Sequence, residues 1–88
     1  LKVSLIIPTR NESDNLRVLI PQLKPYGHEI IVVDDSDDDT AEVAESLGAT
    51  LIRGQRKGLG QAIVDGINAS ESDVVLVMDA DNSHSPSA

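Results

Sequence analysis

The chain alternates short apolar runs with longer stretches in which apolar residues recur every three or four positions. Runs at 2–7, 29–33, 50–53 and 73–78 are dense in Val, Ile and Leu and bounded by polar residues, which predicts strands. Leu16, Leu19, Ile20 and Leu23 fall at i, i+3, i+4 and i+7, and Leu59, Ala62, Ile63 and Ile67 form a similar stripe. These spacings predict helices over about 13–24 and 59–69. A further helix is expected over about 40–47, where Asp39 and Glu42 resemble a capping box with Asp as the cap and Gly48 offers a stop. Asn11 or Ser13 can cap the first helix. Pro21 removes a backbone donor and crowds the preceding turn, so a kink or an early end is expected there.

The resulting order is βαβαβαβ. Continuous β-branched runs suit strands covered on both faces, so the expected class is α/β: a Rossmann-like parallel sheet of about four strands with helices on both faces. Right-handed crossovers favour the spatial order 3-2-1-4. That order reverses between the first and fourth strands, and ligands of open α/β sheets bind beyond the carboxyl ends of the strands at such a point. The loops expected there begin at Pro8, Asp34 and Asp79.

Composition narrows the picture. The 88 residues suffice for one small domain or part of a larger one, and neither a linker nor a low-complexity tract divides 1–88. The lack of cysteine leaves neither a disulfide framework nor a thiolate metal site. No apolar run approaches the roughly 20 residues that cross a bilayer. The expected location is cytoplasmic, or the cytoplasmic face of a membrane, with any attachment made by parts outside this chain. A formal charge of -8 argues against a nucleic-acid surface. A phosphorylated ligand would need a bridging cation or local basic groups, for which Arg10, Arg53, Arg56 and Lys57 are candidates. A fourth strand left at an edge makes a homo-oligomer an expectation to test.

Four segments could carry chemistry. Asp79-Ala80-Asp81 follows the apolar run 74–78. Two carboxylates about 5 Å apart repel by about 3 kcal/mol at an effective dielectric near 20, a penalty that a divalent cation reverses. Hard oxygen ligands suit Mg²⁺ or Mn²⁺, which keep positions for water and substrate phosphates. Asp34-Asp35-Ser36-Asp37-Asp38-Asp39-Thr40 follows the second strand. There Asp35 can accept from the N–H groups of uracil or guanine, while Asp37, Asp38 and Asp39 fit turn and helix-cap roles. Pro8-Thr9-Arg10-Asn11-Glu12 can present backbone N–H groups and short side chains to a nucleotide. Arg56-Lys57-Gly58-Leu59-Gly60 opens the third helix, where Lys57 could balance diphosphate charge, although the spacing matches neither a dinucleotide fingerprint nor a P-loop. His28 reads as a surface turn residue. His84, three positions beyond Asp81, could approach the cation or a phosphate.

Four blocks together resemble glycosyltransferase family 2 and, within it, the dolichyl-phosphate or polyprenyl-phosphate mannosyltransferases. They are Val3-Ser4-Leu5-Ile6-Ile7-Pro8-Thr9-Arg10-Asn11-Glu12, Ile30-Ile31-Val32-Val33-Asp34-Asp35, Lys57-Gly58-Leu59-Gly60-Gln61-Ala62, and Met78-Asp79-Ala80-Asp81 with Ser83-His84. The resemblance implies a GT-A fold, a nucleotide-sugar donor (GDP-mannose or a UDP-sugar), a divalent cation, a lipid-phosphate acceptor and inversion at the anomeric carbon. It implies that Pro8, Glu12, Val33 and Asp35 hold the base and ribose, with Arg10 at a position often Tyr. It also implies that Asp79, Ala80 and Asp81 form the D-x-D motif, with Asp81 the direct cation ligand and catalytic residue, and Asp79 near the ribose or the metal shell. The segment from Asp34 to Thr40 is one residue shorter than the family's usual Asp-Asp-Gly-Ser-Pro-Asp-Gly-Thr and lacks its Gly and Pro. Asn82 replaces a residue usually apolar, and Ser85 one commonly Pro. Family members continue beyond the metal motif, so the chain is expected to be truncated after Ala88 and inactive alone.

Two other classes share an acidic α/β pattern. A phospho-receiver signalling module places an acidic pair after the first strand, where this chain has Pro8-Thr9-Arg10. A sugar-1-phosphate nucleotidyltransferase has a Gly-rich, Arg-containing loop at that position, which this chain lacks.

Overall fold

The computed structural model describes residues 2–55 and 57–78. Its elements follow the expected order: β1 (Val3–Thr9), α1 (Ser13–Leu23), β2 (Glu29–Asp34), α2 (Thr40–Ser46), β3 (Thr50–Arg53), α3 (Leu59–Ala69) and β4 (Val74–Val77). All strand pairs are parallel, in the order β3-β2-β1-β4. The expected topology is therefore the observed one, with its reversal between β1 and β4.

Strand alternation divides the core between two faces. Leu5, Ile7, Ile30 and Val32 point to one side, where Leu16, Leu19 and Ile20 of α1 and Val43 and Ala44 of α2 cover them. Ile6, Ile31 and Val33 point to the other and pack with Ala62 of α3. On this thinner side Gly66 lets α3 come close: a Cβ there would stand 2.5 Å from Ile6 Cγ2.

Pro21 does not end α1. The helix continues to Leu23 and then tightens into a 3₁₀ turn, Lys24–Tyr26, before Gly27 reverses the chain in the left-handed region with φ 73°. Pro21 is exposed in the last turn, and the buried Leu19 and Ile20 just before it hold the helix against the sheet where the hydrogen bond is lost. The caps also differ from expectation. Glu12 occupies the N-cap of α1 without a side-chain bond, so neither Asn11 nor Ser13 serves there. Asp39 makes no cap bond to α2. Asp38 accepts from the Thr40 N–H at 2.9 Å and from its hydroxyl, while Asp39 pairs with Arg17 of α1 at 3.7 Å. Gly48 ends α2 as expected, with φ 88°.

At the amino ends of the strands, buried Ser4 joins Glu29, Ser70 and Ser72 through hydrogen bonds of 2.6–2.8 Å. This network ties the exit of α3 to β1 and β2. His28 lies exposed at the same end, before β2.

Candidate functional site

Residues at the carboxyl ends of three strands stand side by side. The register aligns Thr9 of β1 with Asp34 of β2, and Asp34 with Arg53 of β3. The row is joined at the main chain, since the Asp35 N–H donates to Thr9 O at 3.0 Å and the Gly54 N–H to Asp34 O at 2.9 Å. These bonds carry β1 and β2 further than the apolar runs alone indicate, because Thr9 and Asp34 extend the ladder despite being polar.

Asp34 is the hub. Its side chain is fully buried. Oδ1 accepts from Thr9 Oγ1 at 2.7 Å and Ser36 Oγ at 2.5 Å, and Oδ2 from Arg53 Nη1 at 3.2 Å. A buried carboxylate is tolerated only when so satisfied. Asp34 therefore reads as architecture, and its neighbour Asp35, half-buried at the rim, remains the candidate ligand group.

The β1–α1 and β2–α2 loops are knit into one body. The Asn11 N–H donates to Ser36 Oγ at 2.7 Å, the Asp37 N–H to Asn11 Oδ1 at 3.0 Å, and the Glu12 N–H to Thr40 Oγ1 at 3.1 Å. Asn11 takes φ 55°, a left-handed conformation that Asn adopts more readily than most residues. The Arg10 N–H donates to Glu12 Oε1 at 3.1 Å. Backbone donors expected to face a nucleotide are thus engaged within the loops at Arg10, Asn11 and Glu12.

Thr40 also shapes the electrostatics. Its hydroxyl, followed by its N–H, holds the Asp38 carboxyl below the ordinary range. Asp38 is therefore a structural anion, in keeping with the cap role expected for the acids at 37–39.

The remaining expected residues fall as follows. Pro8 is half-buried and Arg10 exposed. Val33 is fully buried with Ile6 and Ile31, so its side chain belongs to the core. Lys57 is exposed ahead of Gly58, the N-cap of α3 with φ 95°. The loop holding Lys57 is tied to α3 through Asp65 Oδ1, which accepts from Gln55 at 3.0 Å and Gln61 at 2.9 Å. Met78 donates its N–H to Ile6 O at 2.9 Å, keeping the end of β4 against β1. Arg56, Asp79, Ala80, Asp81 and His84 lie outside the described residues. Among the described residues no group of three or more His, Cys, Asp or Glu could hold a metal ion, and no helix is long and apolar enough to cross a membrane.

Sequence reasoning overlooked Thr9, Ser36, Gly54 and Asp65. Thr9 and Ser36 were legible in part, as short hydroxyl residues flanking an acid at aligned strand ends. Gly54 and Asp65 carry no local signal, because their partners are set by the packing of β3 and α3.

Comparison with known proteins bears on this arrangement. The sequence profile described as glycosyl transferase family 2 matches residues 4–88. A dolichol-phosphate mannosyltransferase of Pyrococcus furiosus is 42% identical over 96 residues, covering 98% of this chain and 27% of that protein. An uncharacterized glycosyltransferase of Mycobacterium tuberculosis is 38% identical over 82 residues, covering 92% and 37%. Among solved structures, mannosyl-3-phosphoglycerate synthase from Rubrobacter xylanophilus superposes with a TM-score of 0.85 at 33% identity, over 92% of this chain and 31% of its own. The chain thus spans about a third of the length of these relatives. Its parallel 3-2-1-4 sheet and the profile match over nearly every residue agree, and the chain belongs to glycosyl transferase family 2, carrying a Rossmann-like part of the GT-A fold.

Proposed function

We propose that 1–88 is a single nucleotide-sugar-binding unit of an inverting glycosyltransferase that moves mannose from GDP-mannose to a dolichyl or polyprenyl phosphate. The observation that carries this reading is the loop body joined across the carboxyl ends of β1 and β2, beside the switch point between β1 and β4, where Asp35 and Glu12 stand on one rigid support. Two relatives whose names specify mannosyl chemistry support the choice of sugar. A UDP-sugar donor is the alternative, because a carboxylate at Asp35 accepts from the N–H groups of either base.

Asp35 accepts from the base, Glu12 and Pro8 border the ribose, and Val33 contributes main chain beneath the base. Arg10 and Lys57, both exposed cations, face the diphosphate. Asp34 is assigned no cation, since its side chain is fully buried and both of its oxygens already accept from protein donors. The hard carboxylates of Asp79 and Asp81 fit Mg²⁺ or Mn²⁺ and would hold it, with Ala80 leaving room between them. When bound, the ion neutralises charge on the departing nucleoside diphosphate. In the transfer, an acceptor phosphate oxygen bonds to the anomeric carbon as the bond from that carbon to the donor diphosphate breaks on the opposite face. The acceptor is already anionic, so the chain contributes positioning rather than a general base.

The lipid-phosphate acceptor and any membrane association are assigned to no residue of 1–88, and a homo-oligomer would pair at the edge strand β4. Calorimetric titration of GDP and UDP, with and without Mn²⁺, into wild type and Asp81→Ala tests the reading. Tight binding that depends on Mn²⁺ in wild type and loses that dependence in Asp81→Ala is expected. Binding indifferent to both changes would reject a carboxylate-held ion.

A further inference from the structure

Gly54 follows β3 directly, and its backbone is outside the left-handed region that ordinarily requires glycine. What glycine supplies here is space. A Cβ at 54 would stand 2.6 Å from Asp35 Cγ and 2.9 Å from Oδ2, with Oδ1 nearer still. Carbon contacts settle at about 3.5–4.0 Å, so a methyl at 54 must drive the carboxylate away by about 1 Å.

The surrounding bonds decide what gives way. The main chain on either side is pinned, by the Asp35 N–H to Thr9 O and by the Gly54 N–H to Asp34 O. The side chain of Asp35 is half-buried at the rim and turns about its own single bonds. Gly66 presents the opposite case, where the obstacle is Ile6, fully buried in the core. A substitution at 54 should therefore move a functional group and spare the fold.

We propose that Gly54 is a positioning residue for base recognition, holding open the space in which the Asp35 carboxylate lies back over the end of β3. The inference rests on Asp35 as the acceptor for the base. It adds a determinant of affinity that acts through Asp35, because the identity of residue 54 sets where that acceptor stands.

The test compares wild type, Gly54→Ala, Asp35→Ala and the double variant, each titrated with GDP and with UDP in the presence of Mn²⁺ and each melted thermally. Gly54→Ala should weaken the better of the two ligands about tenfold, the loss of one charge-assisted hydrogen bond. Its melting temperature should stay within about 4 °C of wild type, less than a 1 kcal/mol change produces in a domain this small. Added to Asp35→Ala, it should cost no further affinity, since the group it displaces is gone. If Asp35→Ala binds as wild type does, or neither binds, the assignment of Asp35 and this inference both fall. If Gly54→Ala is silent, or costs the same tenfold in the Asp35→Ala background, Asp35 stands and the role of Gly54 is overturned. Should Gly54→Ala melt early, recovery in the double variant supports the contact, and persistence of the loss refutes it.

Discussion

Replacing Asp34 separates the architecture of the site from its ligand chemistry. In Asp34→Ala, Thr9 and Ser36 lose their shared acceptor, and both residues are buried, at 4% and 3% exposure. Each stranded hydroxyl costs about 1–3 kcal/mol. The Arg53 bond adds little, because 65% of that side chain is exposed and water replaces the partner. The expected loss is therefore about 2–6 kcal/mol, against a total of about 4–13 kcal/mol for a domain of this size. Asp34→Asn keeps one oxygen for the two hydroxyls and turns its amide toward Arg53, which can swing into water. It should cost about 1 kcal/mol. Urea unfolding of the three proteins, followed by circular dichroism, measures both differences. Equal stability of Asp34→Ala and wild type, or equal losses in the two variants, would refute the hub assignment.

Two helix glycines should respond in opposite directions. Gly66→Ala drives a methyl into buried Ile6 and should destabilise by about 1–3 kcal/mol, whereas Gly60→Ala meets nothing within 4 Å and should gain up to about 1 kcal/mol. Thermal melts of both settle the contrast, and matching shifts would contradict the packing of α3 on β1. The Asp38 carboxyl lies below the ordinary range because Thr40 bonds its charged form. Its contribution is present above the unfolded-state pKa and is lost as pH falls through the lower folded-state value. Carbon-detected NMR titration should find the Asp38 midpoint below the ordinary aspartate range, and Thr40→Val should raise it; an unmoved midpoint would remove Thr40 as the cause.

Apolar periodicity was enough for the sheet and its order, because β2 lies between two helix layers and its alternation is nearly all hydrophobic. It gave β3 and α3 their bounds, since both begin and end at composition changes. It failed at Thr9 and Asp34, where polar residues extend strands through main-chain bonds that no hydrophobic pattern registers. It also misplaced the caps. Asp38 rather than Asp39 bonds Thr40, and that choice depends on how the loop from β2 is held by Asn11 and Ser36. The candidate site was legible as a set of loops, from Pro8 and from Asp34, with Asp35 singled out as an acceptor, but the structural role of Asp34 was not. Which acid faces inward follows from the register with Thr9 and Arg53, a property of three strands together.

In the proposed complex one bound ligand reaches both the acidic rim at Asp35 and a cation that Asp79 and Asp81 would hold. Paramagnetic broadening by Mn²⁺ measures this directly in amide spectra recorded with GDP present. Signals from Arg10, Glu12, Asp35 and Gly54 should fade first, while those of His28 and Gly48 near the amino ends of β2 and β3 persist, and Asp81→Ala should abolish the pattern. Broadening that is strongest at His28 and Gly48, or that survives Asp81→Ala unchanged, would contradict it.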